Sequence, residues 1–184
     1  MGALAIPKYT VEEYFAMDDA AECPLEYHDG EVFEIEAATF LHGDIVIGLG
    51  GALRRALKGT PCRISAGARV EVAAGRYRVP DLVVRCGEES AVVTQPKVIV
   101  EILSPSTANF DRSEKLRLYE QIPTLEDIVF AYQDRYRVEV VHRTGGTKWS
   151  YEFHEGLDAT FRVESLGLEI PLSEVYPPEP PPEL

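Results

Sequence analysis

The sequence predicts an α/β (α+β) fold, in which a mixed central β-sheet is flanked by helices and carries extra β-hairpins. Two segments, 77–85 and 97–103, are apolar at nearly every position, which is typical of central strands buried on both faces. Segment 41–57 places apolar residues at helical spacing, and 111–121 is predicted as another helix, with apolar contacts from Leu116, Leu118 and Ile122. We therefore expect helices 41–57 and 111–121 on the faces of the sheet, with hairpins at either end.

The N-terminal region predicts a short helix and then a hairpin. Thr10, followed three residues later by Glu13, has the pattern of a capping box at a helix start. Segments 25–27 and 32–35 flank an Asp-Gly pair at 29–30, which is a strong signal for a tight hairpin turn. The glycines of the next helix lack the order of a dinucleotide-binding motif, so we attribute them to close packing: Gly48, Gly50 and Gly51.

The remaining elements are strands. They are predicted at 63–65, 69–72, 126–132, 136–142 and 148–154. We expect one domain over residues 1–176, followed by a Pro-rich acidic tail at 177–184.

Composition favours a soluble, cytoplasmic protein. Hydrophobic residues make up 45% of the 184 residues and charged residues 27%, as in ordinary globular domains. No apolar run approaches the roughly 20 residues that span a membrane, and the N-terminus lacks the regions of a signal peptide. Because Cys23, Cys62 and Cys86 are odd in number and never form CxxC, we expect three reduced cysteines in the core.

The net charge of −13 argues against extensive wrapping of nucleic acid. The charges are unevenly spread, because residues 51–80 contain Glu71 as their single acid. The basic residues of that segment are Arg54, Arg55, Lys58, Arg63, Arg69, Arg76 and Arg78. A solvated helix face explains the first three equally well.

Asp81 and Glu101 are the anomaly, since each is a carboxylate inside an otherwise apolar strand. A buried unpaired carboxylate costs several kcal/mol, so it needs a partner or a metal. A hard divalent cation such as Mg²⁺ would satisfy both carboxylates. The alternative is that each pairs with an arginine such as Arg76 or Arg78.

An ordered set of motifs gives these residues a context. It comprises Leu25-Glu26 with Asp29-Gly30-Glu31, His42-Gly43, Pro80-Asp81, Glu101 to Thr107 (EILSPST), and then Asp111, Lys115 and Tyr119. This set resembles the PD-(D/E)XK nuclease superfamily, and more closely its small bacterial family of restriction-endonuclease-like proteins with a migrated lysine. The resemblance implies a restriction-endonuclease-like core and a metal held by Asp81 and Glu101, with the main-chain carbonyl of Ile102. It further implies Mg²⁺, with Mn²⁺ able to substitute, and a metal-activated water that attacks phosphorus.

The chain departs from the superfamily pattern at Leu103, where a lysine normally helps to orient the water. Lys115 is the expected substitute, because the resemblance to the closer family implies a lysine that has migrated to the next helix. Asp111, Lys115 and Tyr119 are spaced to share one face of that helix. The alternative is a surface ion pair between Asp111 and Lys115, with Tyr119 packed below it.

Two further residues match the family pattern without a settled role. His42 could bind metal or shuttle protons, or it could simply be exposed at the helix start. Glu26 could ligate the metal or anchor the hairpin. We predict a metal-dependent DNA endonuclease that acts as a homodimer and has no membrane partner. The alternatives are an inactive nuclease-fold module for binding or assembly, which Leu103 favours, and a hydrolase of small phosphoesters.

Overall fold

The structure is a computed structural model that describes residues 8–35, 39–87, 90–104 and 108–178, without the side chains of 108–111. The helices are α1 (Val11–Ala20), α2 (Phe40–Ala56) and α3 (Ala108–Tyr119). The strands are β1 (Leu25–His28), β2 (Glu31–Glu34), β3 (Cys62–Ala66), β4 (Val70–Ala73), β5 (Arg76–Arg78), β6 (Leu82–Cys86), β7 (Pro96–Leu103), β8 (Asp127–Tyr132), β9 (Arg137–Gly145), β10 (Lys148–Glu155), β11 (Thr160–Val163) and β12 (Leu168–Pro171).

The central sheet has six strands in the order β10-β9-β8-β7-β6-β3. It is mixed, because β7 and β8 run parallel while the other neighbours are antiparallel. Every residue of β7 except Lys97 is buried, as expected for a strand covered on both faces. The predicted mixed α+β fold is confirmed.

The two longer helices pack on opposite faces of this sheet. Helix α2 buries Ile45, Leu49 and Leu53 in the cluster that contains the β7 side chains Val98 and Val100. Helix α3 buries Leu118 and Tyr119 in the cluster that contains Ile99 and Leu103. Alternate residues of one strand thus support the two helices, and Glu101 lies on the α3 side.

A second sheet, in the order β2-β1-β5-β4, packs against α1. The capping box of Thr10 and Glu13 begins α1 as predicted. The β1–β2 hairpin turns through Asp29 and Gly30, whose φ angles of 52° and 93° are left-handed, as a primed turn requires. Both N-terminal predictions are therefore confirmed.

The predicted strand at 77–85 is wrong as one element, because it is divided between the two sheets. β5 ends at Arg78 and β6 begins at Leu82. Pro80 lies in the break, where its missing N–H cannot extend a ladder. Asp81 consequently precedes the central strand. The β11–β12 pair was not predicted at all.

Gly48 is the helix glycine that a close approach requires. A Cβ there would lie 2.6 Å from the carbonyl oxygen of Val175. Cβ atoms at Gly50 and Gly51 would lie 3.8 Å from the Leu82 side chain and 3.7 Å from the Arg55 side chain. The packing explanation therefore holds for Gly48, and the other two positions have ordinary space.

The prediction of three reduced core cysteines is wrong. Cys62 and Cys86 are direct partners across β3 and β6, and they form a disulfide. Cys23 is a free cysteine, but it is exposed. The odd number of cysteines and their wide spacing in the sequence do not indicate this pair, which the register of β3 and β6 brings together.

Two expectations concern the ends and the surface of the chain. No helix in the described ranges is long and apolar enough to cross a membrane. Residues 179–184 of the predicted tail lie outside the described residues. The single-domain boundary at 176 stays a prediction.

Candidate active site

The two carboxylates singled out by sequence meet at one end of the central sheet. Leu82 pairs with Val100 in the antiparallel β6–β7 ladder. Asp81, the residue before Leu82, therefore lies next to Glu101, the residue after Val100. The backbone N–H of Ile102 donates to Oδ2 of Asp81 at 2.7 Å. The strand that carries Glu101 therefore also holds the carboxylate of Asp81 in place.

Glu101 is buried, with 2% of its surface exposed, and both of its oxygens accept hydrogen bonds. Lys115 Nζ donates to Oε2 at 2.7 Å, and the Tyr119 hydroxyl donates to Oε1. Burial raises the pKa of Glu101 to about 7, the Lys115 charge opposes that rise, and Asp81 adds to it. This carboxyl thus changes charge near neutral pH.

Lys115 reaches Glu101 from α3, on the face of β7 that also carries Leu103. Burial disfavours the ammonium, but the charge of Glu101 outweighs burial and raises the pKa of Lys115 above its usual value. Leu103 is 3% exposed and packs in the core with Leu118. A cation therefore stands beside Glu101 although position 103 supplies none.

The structure brings Lys115 and Tyr119 of the predicted helix face together, since both side chains contact Glu101. The side chain of Asp111 lies outside what the structure describes. Lys115 is engaged with Glu101, so the alternative of a solvated surface pair does not account for its position.

His42 lies against Asp81, and the alternative of an exposed helix-start histidine is wrong. Its Nε2 lies 2.9 Å from Oδ1 of Asp81, and its side chain is 18% exposed. The hydrogen bond to Asp81 raises the pKa of His42, with burial opposing. The Thr39 hydroxyl accepts from the His42 N–H and so fixes the start of α2.

Gln133 completes this arrangement, and sequence reasoning missed it. Its Nε2 lies 3.4 Å from Nδ1 of His42, and its Oε1 accepts from the Thr39 hydroxyl at 3.0 Å. The backbone N–H of Gln133 donates to the carbonyl of Leu103, which keeps it level with the end of β7. A polar residue directly after the buried β8 strand is the signal that could have found it.

Glu26 contacts the segment that leads into Asp81. Its Oε2 lies 2.6 Å from Arg78, and its Oε1 accepts from the backbone N–H of Val79 at 3.1 Å. Arg78 also pairs with Glu114 at 2.8 Å. These contacts support the hairpin-anchor interpretation, since they tie β1 to the residues before the break at Pro80.

The arginine alternative for the central carboxylates is wrong. Arg76 pairs with Asp29, and Arg78 pairs with Glu26 and Glu114. Asp81 and Glu101 instead have His42 and Lys115 as their charged or titratable partners.

The donor set fits a hard divalent cation bound largely through water. Within the described ranges, no group of three or more His, Cys, Asp or Glu side chains is placed to hold a metal. Mg²⁺, however, commonly uses one or two carboxylates and keeps several waters. Asp81 and Glu101 provide such carboxylates, and the cation would relieve the repulsion by which Asp81 raises the pKa of Glu101.

Comparisons with known proteins show the fold and the family of this chain. A crystal structure described as a putative nuclease belonging to DUF820, from Anabaena variabilis, superimposes with a TM-score of 0.75 at 18% identity. The superposition covers 90% of this chain and 96% of the Anabaena protein, so the two proteins share a fold.

Two relatives come from Synechocystis and are both described as uncharacterised. The protein slr1290 is 26% identical over 176 residues, covering 92% of each chain. The protein sll1609 is 29% identical over 148 residues, covering 76% of this chain and 84% of its own length.

The family model described as "Uma2: Putative restriction endonuclease" matches residues 11–173. The match includes all of the carboxylates and their partners described above. With its nuclease-like fold, the chain belongs to the Uma2 family of restriction-endonuclease-like proteins.

Proposed function

We propose that this protein is a metal-dependent DNA endonuclease that hydrolyses phosphodiester bonds. The observation that carries the proposal is the buried Glu101, which lies beside Asp81 and is contacted by the Lys115 ammonium at 2.7 Å. Removing this carboxylate from water costs several kcal/mol, so its burial does little for the stability of the fold and favours a functional role.

Asp81 and Glu101 would hold Mg²⁺, or Mn²⁺ in its place, together with the main-chain carbonyl of Ile102. Such a cation supplies positive charge at the phosphate and makes water a stronger acid. Lys115 would contribute a second positive charge where the phosphate oxygens gain charge. Tyr119 fixes the orientation of Glu101 by its hydrogen bond.

His42 and Gln133 act on Asp81 as positioning residues in this scheme. When the Gln133 amide donates to Nδ1 of His42, the ring proton lies on Nε2 and is donated to Asp81. Glu26 has the same kind of role for the segment before Asp81, through Arg78 and the Val79 N–H.

Plasmid nicking tests the proposal. Purified protein with Mn²⁺ should nick supercoiled DNA, whereas Asp81→Ala and Glu101→Ala should not. Asp44→Ala, at an exposed position of α2, removes a carboxylate away from these contacts and should keep full activity. Equal cleavage by all variants would mean that the site lies elsewhere and would contradict the proposal.

Two other functions give different outcomes in the same assay. An inactive binding module, which Leu103 favours, would bind DNA and leave it intact. A hydrolase of small phosphoesters would cleave a small phosphodiester much faster than plasmid DNA.

We further propose that the protein forms a homodimer through α2. Phe40 and Ile47 are 97% and 73% exposed, and their spacing of two turns puts both on one helix face. Light scattering should report a dimer that Phe40→Ser with Ile47→Ser converts to a monomer. A cytoplasmic location stays a prediction, since the Cys62–Cys86 disulfide removes the cysteine argument for it.

A further inference from the structure

A basic groove lies at the end of α2 that is remote from the active site. The C-terminal turn of α2, the following loop and strand β3 enclose a volume of about 840 Å³. Every charged side chain that lines it is basic: Arg54, Arg55, Lys58 and Arg63. This is a local concentration of positive charge in a chain whose net charge is −13.

The charges of the groove are largely free of acidic partners. Arg55 pairs with Glu174, and Arg63 donates to the backbone carbonyls of Thr60 and Cys62. Within the described ranges, no carboxylate forms an ion pair with Arg54, Lys58 or Arg63. Many basic residues elsewhere are paired with acids: Arg69, Arg76, Arg78, Lys97, Arg112, Lys115, Arg135, Arg137 and Arg162.

The groove is anchored to the core on both sides. The disulfide between Cys62 and Cys86 ties edge strand β3 to β6. Leu57 is buried in the cluster between α2 and the sheet, and Ile64 packs against the same cluster. The basic side chains therefore project from a backbone that is already held in position.

The two elements that form the groove, α2 and β3, also extend to the neighbourhood of Asp81. Helix α2 extends from His42, beside Asp81, to Arg54, which is about 18 Å at 1.5 Å per residue. Strand β3 extends from Ala66, which pairs with Leu82, to Arg63, which is about 10 Å. These lengths correspond to about three to five base pairs of duplex DNA at 3.4 Å each.

We propose that this groove binds the phosphate backbone of duplex DNA on one side of the cleaved bond. The proposal rests on the endonuclease function above and adds the surface that holds its substrate. Stabilisation of the helix dipole accounts for Arg54 and Arg55, which lie in the last turn of α2. It does not account for Lys58 in the loop or for Arg63 on β3.

The test measures equilibrium binding of a short fluorescent DNA duplex at several salt concentrations, with a chelator so that no metal-dependent cleavage occurs. The variant Arg54→Gln, Lys58→Gln, Arg63→Gln should bind more weakly, and its slope of log K against log salt should be smaller by about 2.7. The double variant without the Arg63 change should lose about 1.8 of slope, and it preserves the Arg63 contacts to the backbone.

The matched control removes three positive charges from exposed positions outside the groove, with Lys8→Gln, Arg117→Gln and Lys148→Gln, and it should keep the wild-type slope. Equal losses in the groove and control variants would overturn the proposal, because net charge alone would then explain binding. Unchanged binding by the groove variants, or no duplex binding by the wild type, would also overturn it.

The proposed groove and the proposed reaction fail in different ways. Binding that depends on the groove, without any Mn²⁺-dependent nicking, would support the groove and contradict the endonuclease function. Nicking that depends on Asp81, with groove variants that bind normally, would contradict the groove alone.

Discussion

In the proposed reaction, Lys115 is the residue on which the chemistry at Glu101 would depend most, because position 103 carries leucine. Its ammonium approaches Glu101 from α3 rather than from the strand itself. A lysine two residues after Glu101 would share its strand face, whereas the structure fills that place with core packing by Leu103. The helix thus supplies the charge, and the strand keeps an apolar contact with Leu118.

Replacing Lys115 with methionine should keep most of the side-chain volume and remove the charge. We expect DNA cleavage to fall by about 10²–10³-fold, the usual effect of losing a donor that stabilises transition-state charge. Single-turnover cleavage with Mn²⁺ would measure this. Cleavage within a few-fold of wild type would show that Lys115 only neutralises the buried Glu101.

The raised pKa of Glu101 makes the stability of the metal-free protein depend on pH. Folding raises this pKa from 4.5 to about 7, so the stabilisation is complete below about pH 4.5 and is lost as pH rises through 7. Glu101→Gln cannot titrate. The melting temperature of this variant relative to wild type should therefore increase between about pH 5 and pH 8.

Thermal denaturation with a chelator at each pH would check this expectation. In the wild type, Lys115 stays charged across this window, because the charge of Glu101 outweighs burial and raises the pKa of Lys115 above its usual value. A difference in melting temperature that is constant with pH would show that Glu101 does not titrate there.

At the scale of elements, the site depends on three chain segments that end at one edge of the sheet. Strand β7 carries Glu101, the start of β6 follows Asp81, and the end of β8 leads into Gln133. The beginning of α2 adds His42. Because β7 and β8 are parallel, their carboxyl ends meet, and the antiparallel β6 brings its beginning to the same place.

Gln133→Leu should weaken catalysis through the position of His42 and Asp81. We expect kcat to fall by about 10–100-fold, as for other residues that orient a ligand from behind, while KM for DNA stays near its wild-type value. Steady-state cleavage kinetics would measure both constants, with Gln133→Glu as the variant that keeps an acceptor for Thr39. An increase in KM alone would indicate a role in DNA binding instead.

The sequence predicts those elements whose signals are local. The capping box at Thr10, the Asp-Gly turn and the apolar strand around Glu101 each depend on a few adjacent residues, and all three are confirmed. Lys115 was found because helical spacing and family resemblance agree, and the structure brings it to Glu101.

The features that sequence reasoning missed depend on distant parts of the chain. Cys62 and Cys86 are 24 residues apart and become neighbours only through the β3–β6 register. Gln133 and His42 are brought together by the packing of α2 against the end of β8. The β11–β12 pair is two short strands, for which local patterns are weak.

At the scale of the whole molecule, acidic and basic side chains are concentrated at different ends of α2. The candidate active site brings the carboxylates Asp81 and Glu101 together, as the proposed cation site would require. The basic groove lies at the opposite end of α2, where the phosphate backbone of DNA would be attracted. If the groove binds DNA as proposed, the protein needs no overall positive charge to do so.

The central claim is that Asp81 and Glu101 together form a divalent-metal site, and a calorimetric titration with Mn²⁺ tests it most directly. The wild type should show saturable binding that Asp81→Ala abolishes and Glu101→Gln strongly weakens, while Asp44→Ala binds as the wild type does. Circular dichroism would confirm that each variant is folded. Equal Mn²⁺ binding by folded Asp81→Ala, Glu101→Gln and wild-type proteins would contradict the claim.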